Sequence, residues 1–210
     1  MRLFLGLLLT LAAAPAARAD LIISVGSADV QSGQTGSVDV FVRSTTGTDS
    51  LQIANVQFQI TPVSPPPLSP ALSFTNPQSD SQLTNPGYIF AGNSAAAPFG
   101  PASFITTTIT PNDTYFGGDG TADASGVLVP TTNRLLVRLD LTAGAGAGGS
   151  VYQISLVNSG TLFLDPNFTP IPFSSTAGLV TTPEPTTLAV FGGFAAVGLV
   201  RARRRIAAVS

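Results

Sequence analysis

The chain has no cysteine, histidine, tryptophan or lysine anywhere in its 210 residues. Without cysteine no disulfide framework can hold the fold, so stability has to come from a packed core. Without cysteine and histidine, Ser-His-Asp and Cys-His arrangements cannot be built, and a zinc site with the usual nitrogen or sulfur ligands is excluded. Glutamate is missing between residues 20 and 182, because Glu184 lies beyond that span. Acid–base chemistry there would rest on aspartates alone. Ten aspartates in the span face three arginines, Arg43, Arg134 and Arg138, a net charge of about −7 that argues against nucleic acid, whose binding rests on lysine and arginine at phosphates. No amphipathic helical pattern appears between residues 20 and 182 either.

Apolar runs stand at the two ends. Met1-Arg2, the apolar stretch Leu3–Ala14 and the small residues Ala17 and Ala19 flanking Arg18 predict a secretory signal peptide over residues 1–19, cleaved after Ala19. At the other end Pro183-Glu184-Pro185 precedes an uncharged run, Leu188–Val200, and then Arg201, Arg203, Arg204 and Arg205. As a helix that run spans about 20 Å, short of the roughly 30 Å hydrocarbon core, so with Thr186 and Thr187 it crosses only marginally. The arginine cluster favours the cytoplasmic side and leaves the preceding chain outside. The expected organisation is a signal peptide (1–19), a body (20–182) and a sorting or anchor segment (183–210) with its helix at about 186–200.

The order Pro-Glu-Pro, short apolar helix, arginine cluster resembles the PEP-CTERM sorting signal of Gram-negative bacteria. The resemblance implies processing by an exosortase, a membrane-embedded cysteine protease or transpeptidase. It further implies transient inner-membrane anchoring and a destination in the envelope or exopolysaccharide matrix, with the exopolysaccharide a possible partner. It implies no activity.

Within the body, short alternating segments are separated by glycine, proline, serine and asparagine. Leu21–Val25 reads as a first strand, Gln31–Gly36 as a turn, and Val38, Val40 and Val42 as the buried side of a second strand. In Ile53–Ile60, Val56, Phe58 and Ile60 face one way and Gln57 and Gln59 the other. Residues 61–103 are irregular, and Val63–Pro70 suits neither a helix nor a central strand. Tyr88–Phe90 and Phe104–Ile109 are expected as short strands, and Asn112–Gly126 as an acidic glycine loop. Leu135, Val137, Leu139 and Leu141 alternate against Arg138 and Asp140. Gly144–Gly149 then reads as the turn of a hairpin to Val151–Val157. Leu162–Leu164, Ile171–Phe173 and Leu179–Thr181 complete an all-β body, a single sandwich of jelly-roll type. The Val30–Val42 region, Ile53–Ile60, the late strand pair and Asp165-Pro166-Asn167 before Ile171-Pro172-Phe173 resemble the cohesin β-sandwich. That resemblance implies the fold and no binding residues.

Three readings of chemistry stay open. Asp113, Asp119 and Asp123, spaced among glycines, offer hard oxygen ligands that suit calcium, although the spacing does not match an EF-hand; a solvated acidic turn is the favoured reading. Paired aspartates could hydrolyse a glycoside. Tyr88, Tyr115 and Tyr152 could stack on sugars in a carbohydrate-binding module, or fill the core. With no catalytic residue assigned, the expectation is a non-catalytic exported protein, with a carbohydrate-binding module or an aspartate hydrolase as alternatives. Asn112-Asp113-Thr114 and Asn167-Phe168-Thr169 match the glycosylation acceptor pattern, which the bacterial context makes coincidental.

Overall fold

The computed structural model describes residues 21–64, 71–97, 107–109 and 112–184. The expected signal peptide with Ala17 and Ala19, Pro185, the apolar C-terminal run and the arginines at 201–205 lie outside the described residues.

Alternation sets the architecture. In β1 (Leu21–Val25) and β3 (Thr35–Ser44) every second residue is buried, Leu21, Ile23 and Val25 in one and Val38, Val40, Val42 and Ser44 in the other. The two pair antiparallel, in a register that pools their apolar residues on one face. Completing that sheet are β6 (Leu72–Phe74), β10 (Arg134–Ala143) and β13 (Phe173–Thr176), in the order β13-β1-β3-β10-β6. A seven-stranded sheet packs against it, in the order β2-β14-β11-β5-β8-β7, with β12 also on β5. Its strands are β2 (Ala28–Asp29), β5 (Ile53–Ser64), β7 (Thr107–Ile109), β8 (Thr114–Gly120), β11 (Ser150–Leu156), β12 (Leu162–Leu164) and β14 (Gly178–Thr182). A two-stranded ribbon joins β4 (Ser50–Leu51) to β9 (Val127–Leu128). The protein is an all-β sandwich. Among the described residues no helix is long and apolar enough to cross a membrane.

Rings join the two layers. Phe74 on β6 meets Tyr115 on β8 at a centroid distance of 5.8 Å, and Phe163 on β12 meets Phe173 on β13 at 5.1 Å. Each fully buried large side chain contributes roughly 1.5–3 kcal/mol, which is what a fold without disulfides depends on.

Several expectations change. Leu135–Leu141 and Val151–Val157 form no hairpin: β10 pairs with β3 and β6, and β11 with β5 and β14. The six-residue Gly144–Gly149 segment crosses from one sheet to the other, held by the Ser32 hydroxyl on the carbonyls of Gly144 and Ala145 at 3.2 and 2.9 Å. A two-residue loop would have forced pairing, whereas this one spans the roughly 10 Å between layers. A bulge between Leu135 and Val137 breaks the alternation, so that Leu135, Leu136 and Val137 are all buried. Strand β5 runs on through Pro62 to Ser64, and Pro62, which has no N–H, faces Tyr152 where the register shifts. Ile171–Phe173 is not a strand, since Pro170 and Pro172 cannot donate to a ladder; β13 starts at Phe173.

Tyr88–Phe90 is likewise a turn with one bridge, Tyr88 to Leu135. It belongs to a strap, residues 75–97, that covers the open edge of β10. The strap completes that edge with side chains as well as backbone. Gln78 donates to the Asp140 carbonyl at 2.9 Å and accepts from its N–H at 2.6 Å, as a backbone peptide would. Gln82 accepts from the Arg138 N–H at 3.4 Å, and the Leu135 N–H donates to the Gly87 carbonyl at 3.0 Å. An uncovered edge would be open to pairing with another chain.

Candidate functional site

The three carboxylates proposed for calcium are not brought together. The expected loop 112–126 is in large part strand β8, paired along its length with β5. Its glycines answer to neighbours: the Tyr115 ring lies over Gly117, and the Asn55 amide over Gly118, where any Cβ would overlap them. Six residues of extended chain, about 20 Å, separate Asp113 from Asp119. Asp113 accepts from the Thr114 hydroxyl at 3.0 Å. Asp123 lies in the turn beyond β8, accepts from the Asn93 amide at 2.7 Å and from Ser125, and is held at a pKa of about 2 by those bonds. Among the described residues no group of three or more carboxylates could hold a metal ion.

Asp119 points inward and is 8% exposed. It accepts from the Tyr88 hydroxyl at 2.7 Å, the Ser94 hydroxyl at 2.5 Å, and the N–H groups of Ala96 and Gly120 at 3.2 and 2.7 Å. That many donors to one buried carboxylate make it an anchor for the strap. Burial, then the Asp119 charge, pushes the Tyr88 hydroxyl far above its ordinary range; burial, then Asp80, does the same to Tyr115. Tyr88, Tyr115 and Tyr152 are at most 1% exposed, so none can stack on a sugar. They are core.

One open cleft carries two carboxylates. About 460 Å³ in volume, it lies between Thr48-Asp49-Ser50 and the Asp165–Pro172 turn. Asp49 accepts from the Ser44 hydroxyl. Asp165 accepts from the N–H groups of Asn167 and Thr169, each at 2.8 Å, and the Thr169 bond leads in holding it below the usual carboxylate range. Glycoside hydrolysis needs a carboxyl kept protonated as the acid, and Asp165 is driven the other way. The carboxyl that does sit at a raised pKa, about 6, is Asp80, which is 3% exposed and apart from the cleft.

The outer faces of the two sheets differ in charge. On the five-stranded sheet Arg138 pairs with Asp39 through two bonds at 2.6 and 2.8 Å. Arg134 reaches the Pro86 and Tyr88 carbonyls at the strap. The larger sheet instead presents Asn55, Gln57 and Gln59 on β5, Phe116 on β8, and Gln153 and Ser155 on β11, with Gln57 opposite Phe116 and Gln59 opposite Ser155. None of these is charged; Asp29, bonded to the Thr181 hydroxyl, stands at the β2 edge of the same face. A groove of about 270 Å³ bordered by Asn55, Phe116, Gly118 and Gly160 runs across it. Of the expected sorting motif, Pro183 and Glu184 follow β14 directly and are exposed. Gln78, Asp80 and Gln82 fall within residues 61–103, an irregular stretch in which the sequence carries no signal that singles them out.

No family model matches the sequence, and no curated protein matches it. Solved structures do match the fold. A chain of a type I cohesin–dockerin complex from Clostridium thermocellum aligns at 14% identity over 82% of this chain and 99% of that one, with a TM-score of 0.54. The third ScaB cohesin of R. flavefaciens, in complex with a group 1 dockerin, aligns at 17% identity over 81% and 100%, with a TM-score of 0.51. A type I cohesin from Pseudobacteroides cellulosolvens aligns at 9% identity over 79% and 93%, with a TM-score of 0.51. At these identities the similarity is one of fold: the body is a cohesin-like β-sandwich.

Proposed function

We propose that this protein is an exported, non-catalytic surface or matrix component whose cohesin-like sandwich serves as a binding module. Its C-terminal Pro183-Glu184-Pro185 signal would be handled by an exosortase after transient anchoring in the inner membrane of a Gram-negative cell. The observation that carries the reading is the uncharged stretch of the larger sheet across β5, β8 and β11, on a fold most of whose described carboxylates are taken up by structural bonds. Two similar folds come from complexes with dockerins, which supports contact with a partner protein through such a sandwich.

The face also favours a second reading, direct contact with exopolysaccharide. Amides at Asn55, Gln57, Gln59 and Gln153 can donate to and accept from hydroxyls, and Phe116 offers a ring, without the charge that would select ions. Co-sedimentation of the exported protein with matrix polysaccharide from its own cells tests the association. Retention in the polysaccharide fraction, lost on substitution of Gln57 and Gln59 by aspartate, is expected for direct contact. Retention that the substitutions leave unchanged would argue for a partner elsewhere on the surface, and a freely soluble protein would contradict association altogether.

A further inference from the structure

Aspartate before a helical turn ordinarily caps it, its carboxylate accepting the first free N–H groups. Asp80 stands at that position before the 3-10 turn Ser81–Thr84, with φ 49° and ψ 34°, yet its side chain makes no cap bond. It is turned inward and buried, and neither carboxylate oxygen has a hydrogen-bond donor. Two more buried groups nearby are unpartnered in the same way, the Gln82 Nε2 and the Tyr115 hydroxyl. An ionised carboxylate without donors is costly in such a place. A neutral carboxyl, with one donor and a free acceptor, suits a hydroxyl and an amide nitrogen as neighbours.

The charges around it point the same way. From β10 it faces Asp140, whose like charge raises its pKa further; from β8 it acts on Tyr115, and within the strap on Tyr88. Arg138, two residues before Asp140, is taken up by Asp39 on the outer face. Gln82 offsets part of the effect, though it stays outside hydrogen-bond geometry. Burial, the largest cause, then Asp140, set the pKa at about 6.

We propose that Asp80 is a proton-controlled latch on the strap that covers the edge of β10. Protonated, it seats residues 75–97; ionised, it loosens them. What the strap covers gives the latch its consequence. Its release frees the N–H groups of Leu135, Arg138 and Asp140, now capped by Gly87, Gln82 and Gln78, and presents an unpaired strand edge to another chain. Because the folded pKa lies above the ordinary 3.8, the latch is fully closed below that value and is lost as pH rises through about 6.

Hydrogen exchange on the full chain tests this, with each rate corrected for intrinsic base catalysis. Protection of the Arg138 and Asp140 amides, relative to Val38 and Val40, should fall about tenfold between pH 5 and pH 8. Asp80→Asn, which stays neutral and tolerates the left-handed backbone, should show no such fall and be more protected at pH 8 by on the order of a hundredfold. Equal pH profiles in the two proteins, or weaker protection in the variant, would overturn the proposal. The carbon-13 shift of the Asp80 carboxyl in the unaltered protein decides it independently should the variant fail to fold. A midpoint near 6 supports the latch, and one at or below 4 overturns it.

Discussion

Replacing Asp119 by alanine removes the acceptor shared by the Tyr88 and Ser94 hydroxyls and leaves both in the interior, where they are 0% and 6% exposed. Each buried donor left without a partner costs about 1–3 kcal/mol. Two such groups, with the charge-assisted bond to Gly120 lost as well, put the total at about 3–5 kcal/mol, against the 5–15 kcal/mol that holds a typical domain. Urea unfolding followed by far-ultraviolet circular dichroism should show a midpoint lowered by about 2 M for a slope near 2 kcal/mol/M. Asp119→Asn, which keeps one acceptor, should lose about half as much. Tyr88→Phe should be partly redundant with it, giving a coupling of about 1 kcal/mol in a double-mutant cycle. A loss below about 1 kcal/mol for Asp119→Ala would refute the anchor. So would a wild-type stability that rises with calcium and a variant that no longer responds, because Asp119 would then be a ligand.

Gln78→Ala strips the side-chain peptide mimic from β10 and should cost about 2 kcal/mol, with the Asp140 amide exchanging faster while amides on the β3 side of β10 keep their rates. Asp39→Asn breaks the Arg138 pair, both members of which are 31% exposed; the loss should stay under about 1 kcal/mol and shrink further in 1 M salt, measured by urea unfolding at two ionic strengths.

Much of the sandwich could be read from alternation, because burial on one face imposes a period of two whatever the strand pairs with. Val38, Val40 and Val42, and Val56, Phe58 and Ile60, fell where expected. The same signal says nothing about which sheet a strand joins, which is why Leu135–Leu141 and Val151–Val157 looked like a hairpin and belong to opposite layers. Glycines misled for a related reason. Gly117 makes room for the Tyr115 ring on its own strand, and Gly118 for Asn55 across the paired strand, the second a contact invisible until the partner is known. The strap was least legible. Gln78 and Gln82 act as pieces of backbone, and Asp80 departs from the capping role its position suggests; neither leaves a pattern in the chain.

The proposed function requires the protein to be delivered through its C-terminal segment, and delivery can be checked directly. Intact mass spectrometry of the protein recovered from the envelope or medium of its own cells should show a chain beginning at Asp20 and ending near Pro185. A mass that retains the apolar run and the arginines through Ser210 would contradict exosortase processing and leave a simple membrane anchor in its place.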